Sequence, residues 1–348
     1  MSRESEGNGG GSMADRRFSR RDFLKAGGVG IAGATLFGVA GCGGEEQGGG
    51  QGGGPEGLMP RGDIRIVMVT HGTAADPFWS VVKTGADQAA SDMGVTVDYR
   101  APERFNVVDI QRNMDAAIAS QPSGIAMTIV DPDALAGSAR EAADEGIPVV
   151  VLNTGQPVWE EVGAITYVGQ TEFDAGLEAG KRMAEEGVQN ALCVNQEQGN
   201  VALEERCAGF TEGLGGNVRE LAVQGADPTA AENAIKTALR NDPDLDGMLT
   251  LGPQGALPAL QALESGGNED LMFATFDLAP QVLNAVRDGK ILFAIDQQQF
   301  LQGYLPVVFL TTNAQYGVTP VNEVATGPRF VTQQEAEDVI ELTKQGVR

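Results

Sequence analysis

Several short apolar runs along the chain end in a side chain that can make hydrogen bonds. His71 follows residues 64–70, Asp131 follows 124–130 and Asn153 follows 149–152. Asp277 follows 272–276, and Asp296 with Gln297 follows 292–295. If the runs are strands of open parallel sheets, these groups stand outside the carboxyl ends, where such sheets hold ligands. At any one position, capping of the next helix or a turn is the rival explanation. For the set, a polar cleft explains more. The chemistry indicated is recognition rather than catalysis. With a single histidine, His71, a Ser-His-Asp or zinc enzyme is hard to build. Cys42, Cys193 and Cys207 show neither metal-ligand spacing nor a disulfide framework. Cys193, inside the apolar run 191–194, reads as core, and Cys207 as core or cleft wall. A glycosidase using two acids such as Asp131 and Asp277 is the enzymatic rival. Simple binding fits the aligned strand-end residues better, and no metal or cofactor is expected.

The elements that would position these residues alternate. Strands are expected at 64–70, 95–99, 124–130, 148–152, 164–168, 191–194, 248–251, 272–276 and 291–295. Helices are expected at 77–93, stopped by Gly94, and at 133–144, ending near Gly146. Val108, Ile110, Met114, Ala117 and Ile118 fall on one helical face. Alternating strand and helix implies parallel sheets covered on both faces, and strands apolar throughout fit that burial. The count exceeds one comfortable sheet, so the expected fold class is α/β with two doubly wound parallel-sheet lobes.

The N-terminus reads as an address. Ser19, Arg20, Arg21, Asp22, Phe23, Leu24 and Lys25 match a twin-arginine export signal, and residues 26–42 are uncharged and rich in Gly and Ala. That run falls short of the about 20 apolar residues a bilayer span needs, and suits a signal peptide. Val39-Ala40-Gly41-Cys42 closes it in the pattern of a bacterial lipobox, whose cysteine is acylated and becomes the new N-terminus. Residues 28–33 match the dinucleotide fingerprint G-x-G-x-x-G, but no strand precedes them and no acidic residue follows at the required distance. Residues 43–57 are Gly, Gln and Glu with one Pro and read as a flexible tether. The net charge of −24 argues against nucleic acid and against an anionic ligand steered from afar.

The strand-end residues belong to a wider pattern. Asp76-Pro77-Phe78-Trp79 with Gly85, Asp131-Pro132-Asp133-Ala134-Leu135, and Gly146-Ile147-Pro148-Val149-Val150 with Asn153 resemble ribose- and galactose-type periplasmic binding proteins. Arg206 with Gly209-Phe210, then Phe276-Asp277 and Gln297, continue the resemblance in the family's order, from about residue 64 to 303. The resemblance implies a type I periplasmic-binding fold, two lobes joined by a three-crossover hinge that close on a sugar. It implies that Asp76, Phe78, Trp79, Asp131 and Asn153 line the cleft from the N-terminal lobe, and Arg206, Asp277 and Gln297 from the other lobe and hinge. The residue types suit that role: carboxylates and amides bond adjacent hydroxyls, arginine offers a planar fork, and aromatic rings cover a C–H face. For Arg206 the rival is a surface ion pair with Glu204 or Glu205. For Phe78 and Trp79 it is packing of a helix N-terminus on the core.

Two departures stand out. Gly252-Pro253 replaces an Asn-Asp pair, and Asp227-Pro228-Thr229 replaces an aromatic, so ribose itself is disfavoured. Trp159 could substitute for the lost ring or simply pack over a lobe. His71-Gly72-Thr73 with Asp76 to Trp79 looks more like a subgroup for sugar alcohols, inositols or varied monosaccharides. The expected organisation is a signal at 1–42, a tether at 43–62, an N-terminal lobe of 63–153 plus 298–323, and a C-terminal lobe of 154–297 plus 324–348. The expected partners are a neutral polyhydroxylated ligand, an ABC transporter permease and the membrane through Cys42, with the protein acting as a monomer. A ligand-presenting sensor is the alternative. A sugar-responsive repressor is rejected, since an export signal stands where its helix-turn-helix would be.

Overall fold

A computed structural model describes residues 58–72, 76–266, 268 and 270–348. The export signal, the Gly-rich run 28–33, Cys42, the tether up to residue 57, and Thr73 lie outside them. The tether expected to run to 62 is ordered at its end: Arg61–Asp63 makes a 3-10 turn, and Arg61 Nε donates to Gln315 Oε1 at 3.1 Å.

Two six-stranded sheets carry the fold. The first contains β1 (Arg65–Val69), β2 (Thr96–Arg100), β3 (Gly124–Met127), β4 (Val149–Asn153), β5 (Thr166–Gly169) and β11 (Val324–Ala325). The second contains β6 (Asn190–Asn195), β7 (Asn217–Ala222), β8 (Gly247–Thr250), β9 (Met272–Phe276), β10 (Phe293–Asp296) and β12 (Arg329–Thr332). Their orders are equivalent, 11-5-4-3-1-2 and 12-10-9-8-6-7, and every pairing is parallel except β10 with β12. Buried apolar side chains cover both faces of each sheet. In β1, Ile66 and Met68 point into one core cluster while Val67 and Val69 point into another, the period-two alternation of a strand. In β6, Leu192 and Val194 divide from Ala191 and Cys193 in the same way. Each valine, leucine, isoleucine or methionine among them, fully removed from water, contributes about 1.5–3 kcal/mol.

The chain crosses between sheets three times: after β5, after β10, and between β11 and β12. The first crossing comes later than the sequence suggested. β5 pairs with β4, Val151 opposite Tyr167 and Leu152 opposite Val168, so the first sheet continues to Gly169 rather than ending at Asn153. β11 likewise stays with the first sheet. Tyr167 and Val168 serve opposite faces of that sheet, a choice that apolarity alone does not assign.

One helix pair in each lobe packs backbone to backbone. α4 (Glu172–Glu185) meets α5 (Val201–Leu214) where a Cβ added to Gly176 would lie 2.1 Å from the Arg206 carbonyl oxygen. One added to Gly209 would lie 2.0 Å from the Phe173 oxygen. α1 (Pro77–Met93) and α9 (Gln299–Tyr316) repeat the arrangement through Gly85 and Gly303.

A disulfide joins Cys193 of β6 to Cys207 of α5, with Cα atoms 5.9 Å apart. This corrects the expectation of no disulfide framework: the two positions are distant in type of element yet adjacent once α5 lies on the sheet. Closing a loop over a separation of 14 residues stabilises by about 3 kcal/mol in the chain-entropy account. The double variant Cys193→Ala, Cys207→Ala should therefore unfold with roughly 3 kcal/mol less free energy in urea titrations. Reductant should lower the wild type toward the variant and leave the variant unchanged.

Candidate ligand-binding cleft

The site forms where the carboxyl ends of the two sheets face each other. In the first lobe Asp76 precedes α1, with Pro77 at the first helical position. Its Oδ1 accepts from Phe78 N at 2.9 Å, capping the helix, while Oδ2 accepts from Gln254 Nε2 of the second lobe, also at 2.9 Å. Capping and cleft lining are thus one arrangement. Phe78 and Trp79 line the same space, with ring centroids 5.0 Å apart and nearly perpendicular. They also belong to the first lobe's core, so both readings of these rings hold.

Asn153 ends β4 and Asp277 follows β9, equivalent strands in the two sheets. Both adopt left-handed backbone, φ 63° and 65°, which short Asn and Asp side chains tolerate better than others. Gln297 connects them. Its Nε2 donates to Asp277 Oδ1 at 2.5 Å, and its Oε1 accepts from Asn153 Nδ2 at 3.4 Å. Asn153 Nδ2 also donates to Gln302 Oε1 at 3.0 Å.

Arg206, on α5, is 3% exposed. Its partner is Glu172 at the start of α4, not Glu204 or Glu205: Nε donates to Oε2 at 2.6 Å and Nη2 to Oε1 at 3.1 Å. Nη1 donates to the Leu251 carbonyl at 3.0 Å and stands 3.8 Å from Asp277 Oδ2. The guanidinium lies over the Phe276 ring at 4.4 Å. Burial opposes its charge, but Glu172 and Asp277 outweigh that and hold the pKa above its ordinary value.

The structure brings together Asp76, Phe78, Trp79, Asn153, Arg206, Asp277 and Gln297. Asp131 and Trp159 stand apart. Asp131 Oδ1 accepts from Ala134 N at 3.1 Å and caps α3 (Pro132–Asp144). Trp159 follows the 3-10 turn Gln156–Val158 and packs against the first lobe's core. His71 sits behind the cleft, edge-on to Trp79 with centroids 4.6 Å apart and Nε2 3.8 Å from Glu197 Oε2. Asp296 turns away, accepting from Gln298 N and pairing with Arg348.

Gln196, Glu197 and Gln254 line the cleft without having been anticipated. Gln196 and Glu197 follow β6 and obey the strand-end rule that found the others. Gln254 comes directly after Gly252-Pro253, where a lost contact was expected. The carboxylate at the other departure, Asp227, is exposed and caps α6 (Pro228–Asn241) through Ala230 N at 2.9 Å.

A family profile described as a periplasmic binding protein domain matches residues 66–317, and one for the twin-arginine translocation signal matches residues 17–37. The chain belongs to the periplasmic binding protein domain family. Members of this family are solute-binding proteins rather than enzymes, and the signal indicates export. Among curated relatives, the xylose/arabinose-binding protein of Sulfolobus acidocaldarius is 26% identical over 77% of this chain and 71% of its own length. The ribose import binding protein of Escherichia coli is 28% identical over 65% of this chain and 76% of its own. A carbohydrate transporter from Acidothermus cellulolyticus, solved in complex with myo-inositol, superposes with a TM-score of 0.78 at 36% identity, covering 82% of this chain and 99% of that one.

Three buried groups, Asp277, Glu197 and His71, couple stability to pH. Burial raises Asp277 to about 7, with Arg206 and Gln297 opposing, and raises Glu197 to about 7, with Asn200 opposing. Burial, then Arg206, lowers His71 to about 3. A raised carboxyl contributes stability that is complete below its unfolded pKa and lost as pH rises through the folded one. The lowered imidazole contributes above its unfolded pKa and loses that as pH falls. Two carboxyls outweigh one imidazole between the ordinary carboxylate range and 7. The urea midpoint of the wild type should therefore rise as pH falls from ~8 to ~5.5. Asp277→Asn with Glu197→Gln should flatten that rise, and an unchanged slope in the double variant would contradict the assignment.

Proposed function

We propose that the protein captures a neutral polyhydroxylated ligand, namely a sugar, sugar alcohol or inositol, between its lobes and delivers it to an ABC transporter permease. The observation that carries this reading is the convergence of Asp76, Asn153, Arg206, Asp277 and Gln297 beside the Phe78 and Trp79 rings. Amides, carboxylates and one guanidinium bond adjacent hydroxyls, and the rings cover the apolar face of a sugar or cyclitol. The myo-inositol complex of the 36%-identical structure supports a cyclitol or monosaccharide of that size, as do the pentose-binding relatives. Gly252-Pro253 lines the cleft with backbone and a pyrrolidine ring, which favours ligands other than ribose.

Ligand that bridges both lobes favours their closed arrangement, and that arrangement docks on the permease. The hinge lies at the three crossings. The protein acts as a monomer on the outer face of the cytoplasmic membrane. Cys42, at the end of Val39-Ala40-Gly41-Cys42, carries the lipid.

Mass spectrometry of small molecules released from the purified protein, then melting of the mature domain with myo-inositol, D-xylose, L-arabinose, D-ribose, D-glucose and D-galactose, tests the reading. A binder at about 100 times its Kd adds roughly 2.7 kcal/mol. Gln297→Ala leaves Asn153 and Asp277 short of a partner and should weaken that binder by about 2 kcal/mol, roughly 30-fold in Kd. No released polyol and no shift with any of the six would overturn the proposal.

A further inference from the structure

Glu172 makes the strongest contacts to Arg206 yet is not a cleft-lining residue. It is 2% exposed and lies just past the first crossing, where the chain leaves β5 for α4. A buried fork-to-fork pair of this kind fixes the plane of the guanidinium as well as its charge. The pair also divides Arg206 unequally. Glu172 takes Nε and Nη2 at bonding distance, and Asp277 is left 3.8 Å from Nη1.

Glu172 is in turn held from the other side. Gln170 Nε2 donates to Glu172 Oε2 at 2.8 Å. Tyr167 OH, with one proton to give, lies 2.6 Å from the Asn153 carbonyl oxygen, to which it donates, and 3.0 Å from the Gln170 carbonyl oxygen. A buried chain of contacts therefore runs from Asn153 in the first lobe, through the first crossing, to Arg206 in the second. Gln297 closes the circuit from Asp277 back to Asn153.

We infer that Glu172 is the positioning residue of the cleft: it orients Arg206 for ligand, holds the guanidinium away from Asp277, and ties Arg206 to the first crossing. The inference rests on the proposed sugar-binding reading for its effect on affinity, but not for its effect on Asp277.

The titratable or charged groups around Asp277 are Arg206 on α5, Glu172 on α4 and Asp76 ahead of α1. In Glu172→Gln the pair loses its anion, the guanidinium is free to swing to Asp277, and a repelling charge disappears. The ¹³C carboxyl titration of Asp277, assigned with Asp277→Asn and measured on the whole mature protein without ligand, should then move to lower pH. An unmoved midpoint in a folded variant would overturn the inference. If Glu172→Gln does not fold, Glu172→Asp, which withdraws the carboxylate by one methylene, gives the same test with the same expected direction.

Calorimetry with myo-inositol and D-xylose supplies the second arm. Glu172→Gln should weaken binding at least tenfold in the wild-type background and less than twofold in Arg206→Met. Equal losses in both backgrounds would mean that Glu172 acts elsewhere than through Arg206. If neither probe binds the wild type, the carboxyl titration alone decides the role of Glu172, and the sugar-binding reading stands or falls on the six-compound panel.

Discussion

A guanidinium taken out of water costs several kcal/mol unless its charge and its donors are met. At Arg206 they are met by Glu172 of α4, the Leu251 carbonyl after β8 and the Phe276 ring of β9. Those partners come from three separate elements, so one arginine can stay buried only if α4, α5 and the second sheet hold a single arrangement. The glycine contact supplies the distance. With Gly176 against the Arg206 carbonyl and Gly209 against the Phe173 carbonyl, α4 and α5 approach closely enough for Glu172 to reach across. A side chain at either glycine would separate the helices and part the ion pair. The sterics of a helix–helix contact thus precede the electrostatics of the cleft.

The first lobe solves a parallel problem with different chemistry. α1 and α9 pack through Gly85 and Gly303, and the cleft residue they support is Asp76, a cap rather than an ion pair. Equivalent strands then place Asn153 and Asp277 with left-handed backbone at the two sides of the hinge. This conformation costs about 1–2 kcal/mol for an ordinary residue. It is held here because Gln297 and Gln302 bond the Asn153 side chain and Gln297 bonds Asp277. Gln297 itself follows β10, where the chain crosses back to the first lobe, so one amide senses both lobes and the hinge.

Much of this was legible in the residues. Continuously apolar runs separated by helical stretches pointed to two parallel sheets, and the polar residue after a strand pointed to Asn153, Asp277 and Gln297, which line one cleft. The same rule picks out Asp131, whose Oδ1 serves the helix that follows. Asp76 does both, since its helix begins at the cleft and its two oxygens face different donors. Edge strand β7 escaped notice because an edge needs few apolar side chains, and only Val218 and Leu221 are half-buried in it. Glu204 and Glu205 neighbour Arg206 in the sequence, whereas its partner Glu172 lies 34 residues away. Cys193 and Cys207 posed the same difficulty. Contacts between elements depend on how helices lie on the sheet, and local spacing does not carry that information.

Gly252 shows why a departure from a family pattern need not remove a function. A Cβ there would sit 2.9 Å from Gln196 Nε2 and 3.5 Å from Asp277 Oδ2. Backbone alone forms the wall at that point, and the polar contact moves to Gln254, which meets Asp76 across the cleft. The charge balance follows from the same crowding. Asp76, Glu197 and Asp277 face the cleft, while the one nearby guanidinium is already neutralised by Glu172. Burial pushes all three carboxyls up, so each holds a proton more readily than it would in water. An anionic guest would meet repulsion there, since among the described residues that line the cleft the one cation, Arg206, is already paired. A guest whose hydroxyls both donate and accept would satisfy the carboxyls in either protonation state, which supports the proposed neutral polyol over an acidic sugar.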